Sequence, residues 1–332
     1  MRIKLAALVT AAILLGVATA CFADDGSVLP GGVFRARVVP AYEWVPGSYN
    51  SSGTYSAYAN GTTTVPNFGA ALEYGVNDWI TVGLQWAPGV TFDSNVPTGT
   101  SASENVNGLS SLFAGLMVQI VGPKAPVVSN DIRFALAPGV KIPFGSGADF
   151  STQFQNYETG AATTVQNPDK QTLGIGGRAW LDYVPSKSFY LDLYSQFIDY
   201  PGTVALKDSS LTGYGTYATY AAYGKSYDPQ VNYGYTLRLE LDPHYIVDIT
   251  DGIEFTANCA FRYDTSPDTT WGGVDQANTG YYLFSALPTL DFFFMKTVIP
   301  FELELDYDQP IAGVNTTAGY SLDLQVKVYY KF

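Results

Sequence analysis

Histidine occurs once and cysteine twice in this chain of 332 residues, and only 14% of its residues are charged. Each shortage excludes something. Two cysteines build neither a zinc finger nor a disulfide framework, and one histidine leaves little for a His-based metal site. The charged fraction lies well below the roughly 25% of an ordinary soluble domain. Basic residues are in deficit too, with 17 Lys and Arg against 30 Asp and Glu and a net charge of −13. A chain so acidic, without basic clusters, has little with which to neutralise phosphates, so no nucleic-acid partner is expected. Beyond residue 20 no apolar run approaches the roughly 20 residues of a membrane-spanning helix. What abounds is Tyr (25) and Gly (33), with aromatics at 15%, a composition that favours strands over helices.

Arg2 and Lys4 precede an apolar run from Leu5 to Val17 and then small residues, the pattern of a secretory signal peptide. Cleavage is expected after Ala20 or Ala23, with lipidation of Cys21 as the alternative; a cut after Ala23 leaves Cys259 alone, without an intramolecular disulfide. The organisation expected is a signal peptide over 1–23 and one exported domain over 24–332.

From residue 33 onward apolar residues recur with period 2. Phe34, Ala36, Val38, Tyr42 and Trp44 fall on one side, Arg35, Arg37 and Glu43 on the other; Phe68, Ala70, Leu72 and Tyr74 oppose Glu73 in the same way. Such alternation marks strands with one apolar and one polar face. It predicts strands at about 33–45, 67–75, 79–89, 109–121, 131–143, 172–184, 188–200, 231–249, 252–264, 279–294, 298–309 and 318–332. Most reach the roughly 9–11 residues that a tilted strand needs to cross a bilayer. Mostly short connections (76–78, 122–130, 185–187, 250–251, 295–297) alternate with mostly long ones (46–66, 90–108, 144–171, 201–230, 265–278, 310–317). Periplasmic turns and extracellular loops sort by parity in this way, whereas a soluble sandwich has no reason to. The expected fold is therefore all-β, a transmembrane antiparallel up-and-down barrel of about twelve strands, or ten or fourteen if 122–130 or 201–230 is misread. Hydrocarbon offers no hydrogen bonds, so the sheet must close on itself.

Arginine decides which face meets lipid. Arg35, Arg37, Arg133, Arg178, Arg238 and Arg262 all lie on the polar sides of their strands. An Arg facing lipid near the midplane costs about 2–4 kcal/mol, whereas a lumen tolerates charge. The polar face is thus expected inside, with those six Arg facing Glu73, Glu302 and Glu304 as an electrostatic filter, and loops 144–171 and 201–230 constricting the outer mouth. Tyr42, Trp44, Trp79, Trp86, Tyr183, Tyr200 and Tyr263, near strand ends, are expected in interfacial girdles. Tyr214, Tyr217, Tyr220, Tyr223 and Tyr227 fall outside the span, in the 201–230 loop. In the last strand Tyr320, Leu322, Leu324, Val326, Val328, Tyr330 and Phe332 alternate with polar residues. A closing strand ending on an aromatic is similar to the assembly signal of bacterial outer-membrane barrels, which makes Phe332 its key residue.

Chemistry finds little support. The single histidine, His244, points inward near the periplasmic end, away from the outer rim where a hydrolytic site is expected, and reads as a hydrogen-bonded lumen or turn residue. No Gly-x-Ser-x-Gly elbow occurs. Glu302, Glu304, Asp306 and Asp308 share one strand face; lumen lining beside inward Arg is the simplest account, with cation binding and acid–base work as alternatives. Gly174-Ile175-Gly176-Gly177 opens a strand rather than a phosphate-binding helix, and suits the close approach of an inward loop. No catalytic residue, metal or cofactor is expected.

Leu29-Pro30-Gly31-Gly32-Val33-Phe34-Arg35, Leu72-Glu73-Tyr74-Gly75-Val76-Asn77-Asp78-Trp79 and Pro138-Gly139-Val140-Lys141-Ile142-Pro143-Phe144-Gly145 resemble segments of the FadL-like and phenol-degradation (MetA-type) outer-membrane transporters. That resemblance implies passage of aromatic or aliphatic compounds through the lumen or wall. The chain departs from the family in its strand count, twelve against the fourteen of FadL-type barrels. Only about ten residues separate the cleavage site from the first strand, too few for an N-terminal plug. The leading expectation is an outer-membrane channel or transporter for small molecules. A structural or adhesive barrel with a closed lumen is the alternative, and an outer-membrane hydrolase comes third. The partners expected are outer-membrane lipid and lipopolysaccharide, the barrel-assembly machinery and a small-molecule solute.

Overall fold

The computed structural model describes residues 26–59, 61–97, 103–144, 170–205, 230–271, 273–275 and 277–332. The signal peptide with Cys21, most of the 144–171 and 201–230 loops, and the five Tyr from 214 to 227 lie outside the described residues.

Twelve long strands follow one another along the chain: β1 Val33–Val45, β2 Thr63–Asn77, β3 Ile80–Pro97, β4 Leu112–Gly122, β5 Ile132–Ile142 and β6 Gly174–Ser186, then β7 Phe189–Ala205, β8 Gln230–Thr250, β9 Ile253–Ser266, β10 Tyr281–Phe294, β11 Phe301–Val314 and β12 Tyr320–Lys331. Each pairs antiparallel with its neighbours in sequence, and β1 pairs with β12 from Val33↔Lys331 to Trp44↔Tyr320, closing the barrel. The segment 122–130 adds only a two-residue parallel bridge, Val127–Val128, beside β4, so the count stays at twelve.

Four strands outrun their expected ends by four residues or more. β2 begins at Thr63, β3 runs to Pro97, β7 to Ala205 and β11 to Val314. All four extensions lie at the end with long connections, where no lipid demands alternation and the period-2 signal fades. There Ser103–Leu109 pairs with the end of β3, and Gly47–Tyr49, Tyr55–Ala57 and Thr316–Thr317 form a small three-stranded sheet. Gly89 lets β3 bend: its φ is +80°, and a Cβ there would lie 1.5 Å from the Phe68 carbonyl oxygen.

The alternation sorts the two faces as charge cost requires. Leu72, Leu84, Leu136, Leu193, Leu241, Leu290 and Leu324 are exposed on the outside. The buried interior is largely polar, and Arg37, Asp182, Asp192, Asp242, Gln325 and Lys327 are each no more than 1% exposed. Outside, Trp44 stacks on Tyr320 at 5.9 Å, with Tyr42 and Tyr307 beside it, a girdle at the long-loop end. Tyr200 departs from the girdle expectation. It shares the parity of Gln196, points into the lumen and is 2% exposed.

Candidate functional site: the barrel lumen

Register builds the ionic lining. In antiparallel pairs a side chain meets the one directly opposite on the next strand, and Arg35, Arg133, Arg178 and Arg238 follow that rule, whereas Arg37 and Arg262 reach diagonally. Arg35 is opposite Glu73 and bonds it at 2.5 Å; Arg133 is opposite Asp182, also at 2.5 Å. Arg238 is opposite Asp264 and bonds it at 2.7 Å, while Arg178 is opposite Gln196 and donates to its Oε1 at 2.9 Å. Arg262 bonds Asp264 at 3.0 Å and also pairs with Asp308. Arg37 sits 3.8 Å from Glu73 and donates to Gln325 at 3.2 Å.

All six expected Arg therefore line the inside, yet only Arg35 and Arg37 meet a carboxylate from the expected set. Glu302 and Glu304 are held by Lys327 instead, whose Nζ lies 2.5 Å from each. Lys327 is directly opposite Glu302, and Gln325 opposite Glu304, so adjacency selects these partners over Arg on more distant strands. Asp291, Glu302 and Glu304 bring carboxylate oxygens within 4.8 Å of one another, a spacing that could hold a cation; the Lys327 ammonium already binds two of the three. His244 is buried, stacks on Tyr190 at 4.1 Å, and sets Nε2 3.0 Å from Asp242. Phe332 is exposed on the outside, edge-on to Tyr330 at 5.0 Å and to Phe34 at 6.5 Å.

Among the described residues, two chambers stand out in the lumen. The outer one, about 290 Å³, is lined by Lys141, Arg178, Arg238 and Arg262 with Asp308 and Asp323. An inner one of about 510 Å³ has Arg35, Arg133, His244 and Lys327 facing Glu254, Asp291, Glu302 and Glu304. They share no lining residue, but a third cavity of about 70 Å³ touches both. It shares Gln85, Phe113 and Arg178 with the outer chamber and Ser27 and Arg35 with the inner. This neck runs off-axis along β2–β6, past Gly83, Gly115, Met117 and Trp180.

The neck wall sets Phe113, Met117, Ala137 and Trp180 beside Arg35, Glu73, Thr81, Gln85 and Arg178, and its aromatics form the part of the site that charge alone did not reveal. Trp180 and Tyr194 pack at 5.3 Å with Ala135, Ala137 and Met117; Phe113 packs with Ile198 and Tyr200. A Cβ at Gly139 would lie 2.4 Å from the Phe113 ring, and one at Gly115 2.6 Å, so both glycines make room for that ring. Trp180 and Tyr194 share parity with Arg178 and Gln196, the signal by which they could have been placed inside.

The described residues before β1 enter the barrel. The Gly26 N–H donates to both Asp182 oxygens at 3.0 and 3.1 Å, and Gln119 donates to the Gly26 carbonyl at 2.8 Å. Arg133 donates to Ser27, and the Leu29 N–H to Thr81. Buried backbone groups need such partners, and lumen side chains supply them without a hatch domain. At the short-turn end, Asp78 is held below the usual carboxylate range, first by the Gly31 N–H and then by Lys124.

No family model matches the chain, and no curated protein matches it. Solved structures do. An outer membrane channel from Pseudomonas putida F1 is similar at TM-score 0.63 and 13% identity, over 92% of this chain and 98% of that one. The NanC porin (TM-score 0.43, 8% identity, 90% and 100% covered) and a Pseudomonas aeruginosa FadL homologue (0.41, 11%, 96% and 98%) are more distant. A closed antiparallel cylinder with an apolar outside, an ionic inside and this similarity gives the chain the fold of a bacterial outer-membrane β-barrel channel.

Proposed function

We propose that the protein is a passive outer-membrane channel for small molecules. The observation that carries this is the succession of three lumen cavities, the middle one sharing lining residues with the chamber on either side. A lumen meant only to be filled would have no such space. Charged side chains on this route (Arg35, Glu73, Arg133, Arg178, Arg238, Arg262, Glu302 and Glu304) set the electrostatics of the filter; Arg37 positions Glu73 and Gln325 behind it. The similar structure from Pseudomonas putida F1, named an outer membrane channel, supports the same reading. No reaction is assigned to the lumen: His244 is taken up by Tyr190 and Asp242 at its inner end. Phe332 and the exposed apolar belt suit the assembly machinery and outer-membrane lipid as partners.

The alternative, a surface protein with a closed lumen, draws on the fully buried Arg37, Asp192 and Gln325 that fill the mid-barrel beside the neck. Planar-bilayer recording of the purified protein separates the two. Discrete current steps in potassium chloride are expected; absence of current above background overturns the channel.

A further inference from the structure

Four glycines face one another across four strands. Gly83 on β3 is directly opposite Gly115 on β4, Gly115 opposite Gly139 on β5, and Gly139 opposite Gly176 on β6. Gly83 and Gly115 line the neck, and Gly139 falls between Ala137 and Lys141, which also line the lumen, so the row lies on the inner face. Without side chains at four successive positions the wall is bare backbone, a lane that a flat group can approach closely. One already does. The Phe113 ring rests on the Gly115–Gly139 stretch, where a Cβ would come within 2.6 and 2.4 Å of it. At the Gly83 end the nearest atom to such a Cβ is Cγ of Glu73, at 3.3 Å.

Trp180 turns into the same cavity. It is 3% exposed, and its indole Nε1–H has no acceptor. A buried indole N–H usually finds one, and leaving it unmet is costly. The charges beside the lane do hold partners: Arg35 and Glu73 bond each other at 2.5 Å, while Arg178 bonds Gln196 and lies over the Phe113 ring. A charged solute would have to break such a pair to be answered there. Space is limiting as well. The neck holds about 70 Å³, whereas an apolar cavity of roughly 150 Å³ takes one benzene ring. Phe113 also borders the outer chamber, so its ring has somewhere to turn.

Resting on the channel reading above, we propose that the glycine lane is the solute's binding site in the neck and that Phe113 is a tethered placeholder on it. The solute is an uncharged planar ring bearing a hydrogen-bond acceptor. It displaces the Phe113 ring toward the outer chamber, lies flat on Gly83, Gly115 and Gly139, and accepts from Trp180. Phe113 and the solute compete for one surface, so the seated side chain lowers the apparent affinity by the fraction of molecules in which the lane is free.

Block of the potassium chloride current through purified full-length protein in planar bilayers tests the proposal. The probes are acetophenone, ethylbenzene, which keeps the ring without the acceptor, and cyclohexyl methyl ketone, which keeps the acceptor on a puckered ring. Acetophenone should halve the current at a concentration about fivefold below either, the ratio for one hydrogen bond or one aromatic contact. Phe113→Ala should tighten its block about tenfold, the opposite of what losing a stacking partner does. Gly83→Ala, whose added carbon crowds only the flexible Glu73 side chain, should weaken it about tenfold. Trp180→Phe should erase the margin of acetophenone over ethylbenzene. Heat-modifiable migration on gels verifies that each variant is folded, and Phe113→Leu serves if Phe113→Ala is not. Current that ranks the three probes equally, or weaker block in Phe113→Ala, overturns the lane and its placeholder and leaves the channel standing. A silent bilayer overturns the channel reading, and this inference with it.

Discussion

Lys327 sets its ammonium 2.5 Å from Oε1 of Glu302, the residue directly opposite it across the β11–β12 ladder. The same nitrogen reaches Glu304 at 2.5 Å, and all three residues are buried. One cation thus answers for two carboxylates, with Gln325 and the Tyr329 hydroxyl donating to the oxygens that remain. A buried ion pair is weak evidence of net stabilisation, but removing one member strands the other.

Lys327→Met should therefore lower the unfolding free energy by about 3–5 kcal/mol, the cost of an uncompensated buried charge. Urea unfolding of vesicle-inserted protein measures it. Combining the change with Glu302→Gln and Glu304→Gln should recover most of the loss; equal loss in single and triple variants would contradict the pairing.

Leu241 is exposed on the outside, opposite Leu193 on one side and Phe261 on the other. Leu241→Arg should destabilise the barrel by about 2–4 kcal/mol, the range for Arg facing the bilayer interior. Thr256→Arg points instead into the inner chamber beside Glu254 and Asp291 and should be tolerated far better. The same unfolding assay decides, and indistinguishable losses would reverse the assignment of faces.

Burial, then the neighbouring Lys141, pushes the Lys170 ammonium down to about 8. The groups facing it are Lys141 and the rings of Tyr200 and Tyr233. Below pH 8 the side chain is charged and helps draw anions to the mouth; raising the pH from 7 to 9 discharges it. Anion preference, read from reversal potentials, should fall across that interval and stay flat in Lys170→Met. Stability moves the other way. The folded value lies below the unfolded value of about 10.4, so the cost of burying the charge is full below pH 8 and is relieved as pH rises through that window.

Strand extents were the most legible feature of the sequence. β1 occupies 33–45 as the alternation indicates, and the lumen side of all six Arg follows from parity. Partner choice was not legible, because it depends on register, which the turn geometry sets and the period-2 pattern leaves open. Glu302 faces Lys327 instead of an Arg for that reason. Tyr200 was hidden by its type: an aromatic near a strand end suggests an interfacial belt, and only parity with Gln196 puts it inside. The entry of Gly26 and Ser27 into the lumen had no sequence signal at all, since it rests on hydrogen bonds to Asp182, Gln119 and Arg133 from strands far along the chain.

The seam between β1 and β12 joins the first and last strands, Val33 lying against Lys331. Until that final ladder zips, both rims stay unsatisfied and ready to capture stray backbone. Contacts this distant in sequence form slowly, so maturation of the cylinder should be late and cooperative. Shortening β12 by a few residues should accordingly yield trapped, protease-sensitive chains in place of a smaller functional pore.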